Sequence, residues 1–140
     1  MLNLKKPKDS RSLAKTMAQI ANQKLAREVV VLNMSEIEHT PCDFFVVCTC
    51  ETDNHIRSTA DDMMRASKDF GLGKPRSEGF TAGEWIVIDF FNVVVHLMLE
   101  PTRKHYKLEN LWGDSKFLEV NENERLVNLD KEKVKSYLAN

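Results

Sequence analysis

The chain has 140 residues, 42% of them hydrophobic and 29% charged, and its 20 basic and 21 acidic residues leave a net charge of -1. That length suits one domain with a single two-layer core, and the composition is that of a globular protein. The balanced charge argues against affinity that comes mainly from neutralising phosphates, while leaving room for a protein partner inside a nucleoprotein particle.

From about Ser10 to Leu25, the spacing of Leu13, Met17, Ile20, Ala21 and Leu25 puts one apolar stripe on a helix, with Asp9 or Ser10 available as its cap. Val29 to Leu32 is β-branched and reads as a buried strand. After a turn at Pro41, Phe44 to Cys48 is apolar without alternation, as in a central strand covered on both faces. Thr52 then caps a second helix in which Ile56, Ala60, Met63, Ser67 and Phe70 share a face, and Gly71 suits a left-handed end. That helix lies between strand signals and is expected to be a crossover on one face of a sheet. Residues 73–83 read as a loop with a short edge strand. Trp85 to Asp89 and Val93 to Leu99 follow as strands close enough to form a hairpin across Phe90, Phe91 and Asn92. Arg103 to Asp114 reads as one or two helical turns. Lys116 to Asn140 is more charged and ends in a short helix capped by Asp130, with Val134, Tyr137 and Leu138 on one face. The expected fold is α/β, a mixed β-sheet of about five strands flanked by helices in a single domain.

No apolar run approaches the roughly 20 residues that span a bilayer. The basic start, Met1 to Lys8, is followed by no apolar segment, and the chain is expected to be cytoplasmic. Cys42, Cys48 and Cys50 form no CxxC pair; buried free thiols are favoured over a metal or redox role. There is no P-loop, no GxGxxG after a strand, no HExxH and no GxSxG elbow. Asp61 and Asp62 are adjacent on a helix and point about 100° apart, a poor pair for one ion. His96, set in an apolar strand, is read as a hydrogen-bonded structural residue and His55 as solvent-facing. No catalytic residue, metal or cofactor is expected.

Large amphipathic residues crowd the later part of the chain: Trp85, Tyr106 and Trp112, with Arg103, Lys104, Leu108, Glu109 and Leu111 around them. Trp, Tyr and Arg are the types that most often carry protein–protein binding energy. Trp85 leans towards an interface role, and core and interface are equally weighted for Trp112.

Trp85-Ile86-Val87-Ile88-Asp89, Val93-Val94-Val95-His96 and Arg103 to Trp112 are similar in order and spacing to the W-hydrophobic-D, VVVH and RxFYxLExLW series of the ribosomal silencing factor family, also called Iojap. Val29 to Asn33, Asp43 to Val47 and Glu78-Gly79 fall where other signatures of that family would. The resemblance covers roughly Ser10 to Asp114, so residues 1–114 are expected as the family-like α/β domain and 115–140 as a charged C-terminal extension. It implies a nucleotidyltransferase-like fold without the catalytic apparatus; Cys50-Glu51-Thr52 stands where those enzymes carry their glycine–serine signature. It implies binding to the large ribosomal subunit through large-subunit ribosomal protein fourteen, which blocks subunit joining sterically and lowers translation. The chain departs from the family's usual Gly near Cys50, Asp at Asn33, Gly near Phe91 and aromatic residue at His105; without those glycines both turns must avoid positive φ or accept strain.

The partner-binding residues expected on this reading are Trp85, Met98, Arg103, Tyr106, Glu109 and Trp112. Trp85 and Met98 would bury apolar area, Tyr106 and Trp112 would shape the surface, and Arg103 and Glu109 would pair with partner groups or with each other. Neither a membrane nor sequence-specific nucleic acid is expected as a partner. Two rivals remain: a homodimeric adapter of another complex, and a nucleotide-using enzyme, for which the sequence offers no convergent carboxylates.

Overall fold

In the computed structural model, which describes residues 4–140, helix α1 (Ser10–Gln23) starts at a reciprocal cap. The Asp9 carboxylate accepts from the Ser12 amide at 2.8 Å, and the Ser12 hydroxyl accepts from the Asp9 amide at 3.0 Å. Met1, Leu2 and Asn3, part of the basic start, lie outside the described residues.

Strands β1 (Arg27–Asn33) and β2 (Phe44–Cys50) are antiparallel, and β2 is buried at all seven positions. Helix α2 (Asp53–Asp69) begins with the Thr52 hydroxyl accepting from the His55 amide at 3.0 Å and is followed by Gly71 at φ +72°. The short β3 (Arg76–Glu78), β4 (Trp85–Asp89) and β5 (Val93–Leu99) form an antiparallel run, and β5 lies parallel to β2. The chain continues through α3 (Glu100–Tyr106), α4 (Leu108–Leu111), β6 (Lys116–Val120), β7 (Leu126–Asn128) and α5 (Lys131–Leu138), whose cap is Asp130.

These strands make one mixed sheet in the order β3-β4-β5-β2-β1-β6-β7. It has seven strands where about five were expected. The two additional strands, β6 and β7, both follow residue 114: β6 pairs with β1, and β7 pairs with β6. Their sequences are too short, at five and three residues, to show an apolar pattern of their own, and pairing with a neighbouring strand defines them.

The two faces of the sheet are covered differently. Strand side chains alternate, and Val31, Val46, Cys48, Ile86, Ile88, Val95 and Leu97 meet α1 and α2 through Met17, Ile20, Ile56, Ala60 and Met63 in one continuous core. Val30, Leu32, Phe45, Val47 and Met98 point the other way, towards Phe117, Leu129, Val134 and the flanking Leu108, Trp112 and Tyr137. The three thiols are all buried. His55, expected in solvent, is instead half-buried and bridges two segments: its Nδ1 accepts from the Glu51 amide at 3.0 Å, and Nε2 lies 2.6 Å from the Lys24 carbonyl oxygen. No helix among the described residues is long and apolar enough to cross a membrane.

Candidate partner-binding site

The second face is closed only in part. Over β1, β2 and β6 it lies under α3, α4 and α5; towards β4 and β5, Trp85, Val87 and Val94 remain partly accessible. Pairing of Trp85 with Met98 and of Val87 with His96 sets these side chains in adjacent rows.

His96 sits at the centre of this face and is 7% exposed. Its Nδ1 accepts from the indole Nε1 of Trp85 at 3.1 Å, and its ring lies 4.4 Å, edge-on, from Phe45. Burial pushes its pKa down to about 4, so the ring is neutral near pH 7. A neutral imidazole whose Nδ1 accepts carries its proton on Nε2, and that atom is buried with no hydrogen-bond partner among the described residues. The indole bond ties Trp85 to His96, and Tyr106, 54% exposed, packs 4.8 Å from the indole, ring centroid to ring centroid.

Helices α3 and α4 meet at Lys107, whose φ of 49° and ψ of 57° are left-handed. That single residue redirects the chain, so that Tyr106 and Leu111 project outward while Arg103 and Glu109 turn in. Leu111 is 71% exposed; Arg103 and Glu109 are each 1% exposed. Arg103 Nε donates to Glu109 Oε2 at 3.0 Å, and Nη1 donates to the Glu28 carbonyl at 2.7 Å and to the Thr49 hydroxyl at 2.9 Å. A bulge in β1, where Glu28 takes φ +53°, aims that carbonyl at the guanidinium. Tyr137 of α5 lies against the same group, 5.8 Å from ring centroid to Cζ. Arg103 therefore ties β1, β2, α4 and α5 together beneath the surface.

The six residues expected to bind a partner thus divide. Trp85 and Tyr106 lie together at the accessible edge. Trp112 is half-buried and supports Phe45 from behind, ring to ring at 6.3 Å. Met98 is wholly buried and cannot contact a partner in this arrangement: it lies one strand further in than Trp85, under the cover of α3. Arg103 and Glu109 pair with each other and not with an outside group. The residues not anticipated are Leu111, Val87 and Val94. Leu111 lay within the quoted motif, but its exposure follows from the brevity of α4, which the motif does not display.

Among the described residues no three His, Cys, Asp or Glu side chains converge to hold a metal ion. The arrangement offers shape and apolar area, with one neutral histidine kept from solvent.

Residues 7–138 match the family described as ribosomal silencing factor during starvation, well past the limit of the motifs at residue 114. A relative named ribosomal silencing factor RsfS from Halalkalibacterium halodurans is 31% identical over 111 residues, covering 79% of this chain and 94% of that protein. The protein of the same name from Bacillus subtilis is 29% identical over 76% of this chain and 90% of its own length. A mouse protein named mitochondrial assembly of ribosomal large subunit protein 1 is 31% identical over 69% of this chain and 43% of its own. A crystal structure of a Chromobacterium violaceum protein superposes with a TM-score of 0.71 at 25% identity, covering 76% of this chain and 88% of that one. A second, from Bacillus halodurans, superposes at 0.61 with 31% identity, over 73% and 91%.

Proposed function

The chain belongs to the ribosomal silencing factor family, and we propose that it acts as one: in the cytoplasm it binds the large ribosomal subunit, through large-subunit ribosomal protein fourteen, and represses translation by keeping the subunits apart. The observation that carries this reading is the half-open sheet face, where Trp85, Val87 and Val94 lie beside the outward Tyr106 and Leu111. An apolar, aromatic-rimmed surface fixed by a buried ion pair is preorganised for a protein partner, because little side-chain freedom is lost on docking. Blocking by bulk needs only a bound body between the two subunits and no chemistry. Trp85 and Tyr106 are the contact residues on this account. Trp112, Met98 and the Arg103–Glu109 pair hold them from beneath.

The test is sedimentation of the protein with purified bacterial large subunits through sucrose, with small subunits as control, followed by a subunit-joining assay. Stoichiometric movement with large subunits alone, and a loss of joined ribosomes, is the expected result. Tyr106→Ala should weaken the association by about 1 to 2 kcal/mol, and Trp85→Ala by roughly 2 kcal/mol or more. If the native protein stays at the top of the gradient at physiological salt, the reading fails. If both variants bind like the native chain while keeping its circular dichroism spectrum, the face assigned here is the wrong one.

A further inference from the structure

At the opposite end of β4 from Trp85, the turn into β5 exposes Phe91 at 83% and holds it at φ +81°. Each feature is costly alone: a side chain disfavours the left-handed region, and a phenyl ring in water gains nothing from burial. Among the described residues no burial offsets the exposure of the ring. The turn is also held firmly. The Phe91 amide donates to the Asp89 carboxylate at 2.7 Å, the Phe90 amide donates to the Val93 carbonyl at 2.8 Å, and the Asn92 carbonyl accepts from Asp43 and Phe44. A stiff backbone thus presents a bare aromatic ring.

Beside that ring runs a cleft of about 310 Å³, lined by Leu72, Lys74, Pro75, Arg76 and Asp89 as well as the two phenylalanines. Through Lys74 and Pro75 it joins a wider depression that carries Arg65 and Lys68. Among the described residues Lys68, Lys74 and Arg76 take part in no ion pair, and they outnumber the one acid that lines the cleft, Asp89. The near-zero net charge of the chain conceals this local excess of cations.

We propose that this turn and cleft form a second binding surface, for single-stranded RNA: an unpaired base stacks on Phe91, and its backbone phosphates lie along Lys74 and Arg76. An open ring face next to mobile cations is what such strands need, since every base has a stacking face and every nucleotide a phosphate. The unpaired cations beside the ring complement a phosphate backbone, and an apolar protein pocket would make no use of them. The Trp85 face is mainly apolar and aromatic, and the RNA surface does not rest on its role.

The test is fluorescence anisotropy of a labelled oligo(U) or oligo(A) strand of about 12 nucleotides titrated with the full chain. Phe91→Gly removes the ring and relieves the strain, so its folding is secured while its affinity falls roughly tenfold or more, the range of one base stack. Phe91→Trp keeps the affinity. Joint replacement of Lys74 and Arg76 by Gln lowers the slope of log affinity against log salt by about 1.4, as two phosphate contacts to a single strand require. The proposal is overturned if the native chain shows no binding at low salt, if Phe91→Gly binds as tightly, or if duplex RNA binds equally well. It is also overturned if Phe91 matters only for association with a ribosomal protein.

Discussion

The two faces of the sheet are built by different means. The face under α1 and α2 is sealed by aliphatic and thioether side chains, most of them wholly buried, and requires only that their volumes fit. The face under α3, α4 and α5 adds to its apolar contacts a buried ion pair, a neutral histidine and an indole hydrogen bond, and is left open along one side. A closed apolar layer secures the fold and offers nothing to a partner. The polar supports are costlier to bury, but they hold Trp85 and Tyr106 in one geometry at the rim.

The contrast is broken most severely at Arg103. Arg103→Met should destabilise the protein by about 3 to 5 kcal/mol in urea unfolding, because Glu109 is left charged and unpaired in the interior. Pairing it with Glu109→Leu should return most of that stability while weakening large-subunit binding. A double variant that bound fully would show that the ion pair does not position the site.

On the sealed face the largest single cost is a cavity. Leu97→Ala, fully buried between α2 and the sheet, should lose about 3 kcal/mol and leave the affinity of the folded fraction unchanged. A matching loss of affinity would mean that the two faces are coupled.

His96 sets a pH signature on the half-open face alone. Its pKa is about 4 in the folded chain against 6.5 when unfolded, so between those values the unfolded chain binds the extra proton. Stability should be full above about pH 6.5 and fall as the pH drops, by about 2 kcal/mol at pH 5. His96→Gln should flatten that segment of the profile; an unchanged slope would assign it to carboxylates.

The smallest effect, and of opposite sign, belongs to the turn at the far end of the β4–β5 hairpin. Phe91→Gly should raise stability by about 1 kcal/mol, seen as a higher midpoint of thermal unfolding. The departure from glycine here was legible in the sequence as a choice between avoiding positive φ and accepting strain, and the chain accepts the strain.

What could be read along the chain was whatever rests on local pattern. The stripes of α1 and α2, the Thr52 and Asp130 caps, the unbroken apolar run of β2 and the ordered motifs from Trp85 to Trp112 each depend on neighbours a few residues away. They were enough for the fold class and for the family. β6 and β7 escaped because strands of three to five residues are held by hydrogen bonds to other strands: β6 to β1, 87 residues upstream in the Val31–Leu118 pair, and β7 to β6.

The division of the candidate site escaped for a related reason. Sequence singled out residue types suited to an interface but could not say which were buried. Only the left-handed turn at Lys107, the bulge at Glu28 and the packing of α5 decide that Arg103 and Glu109 face each other inside while Tyr106 and Leu111 face out. Period and composition fix what a segment is; its exposure depends on what the rest of the chain lays over it.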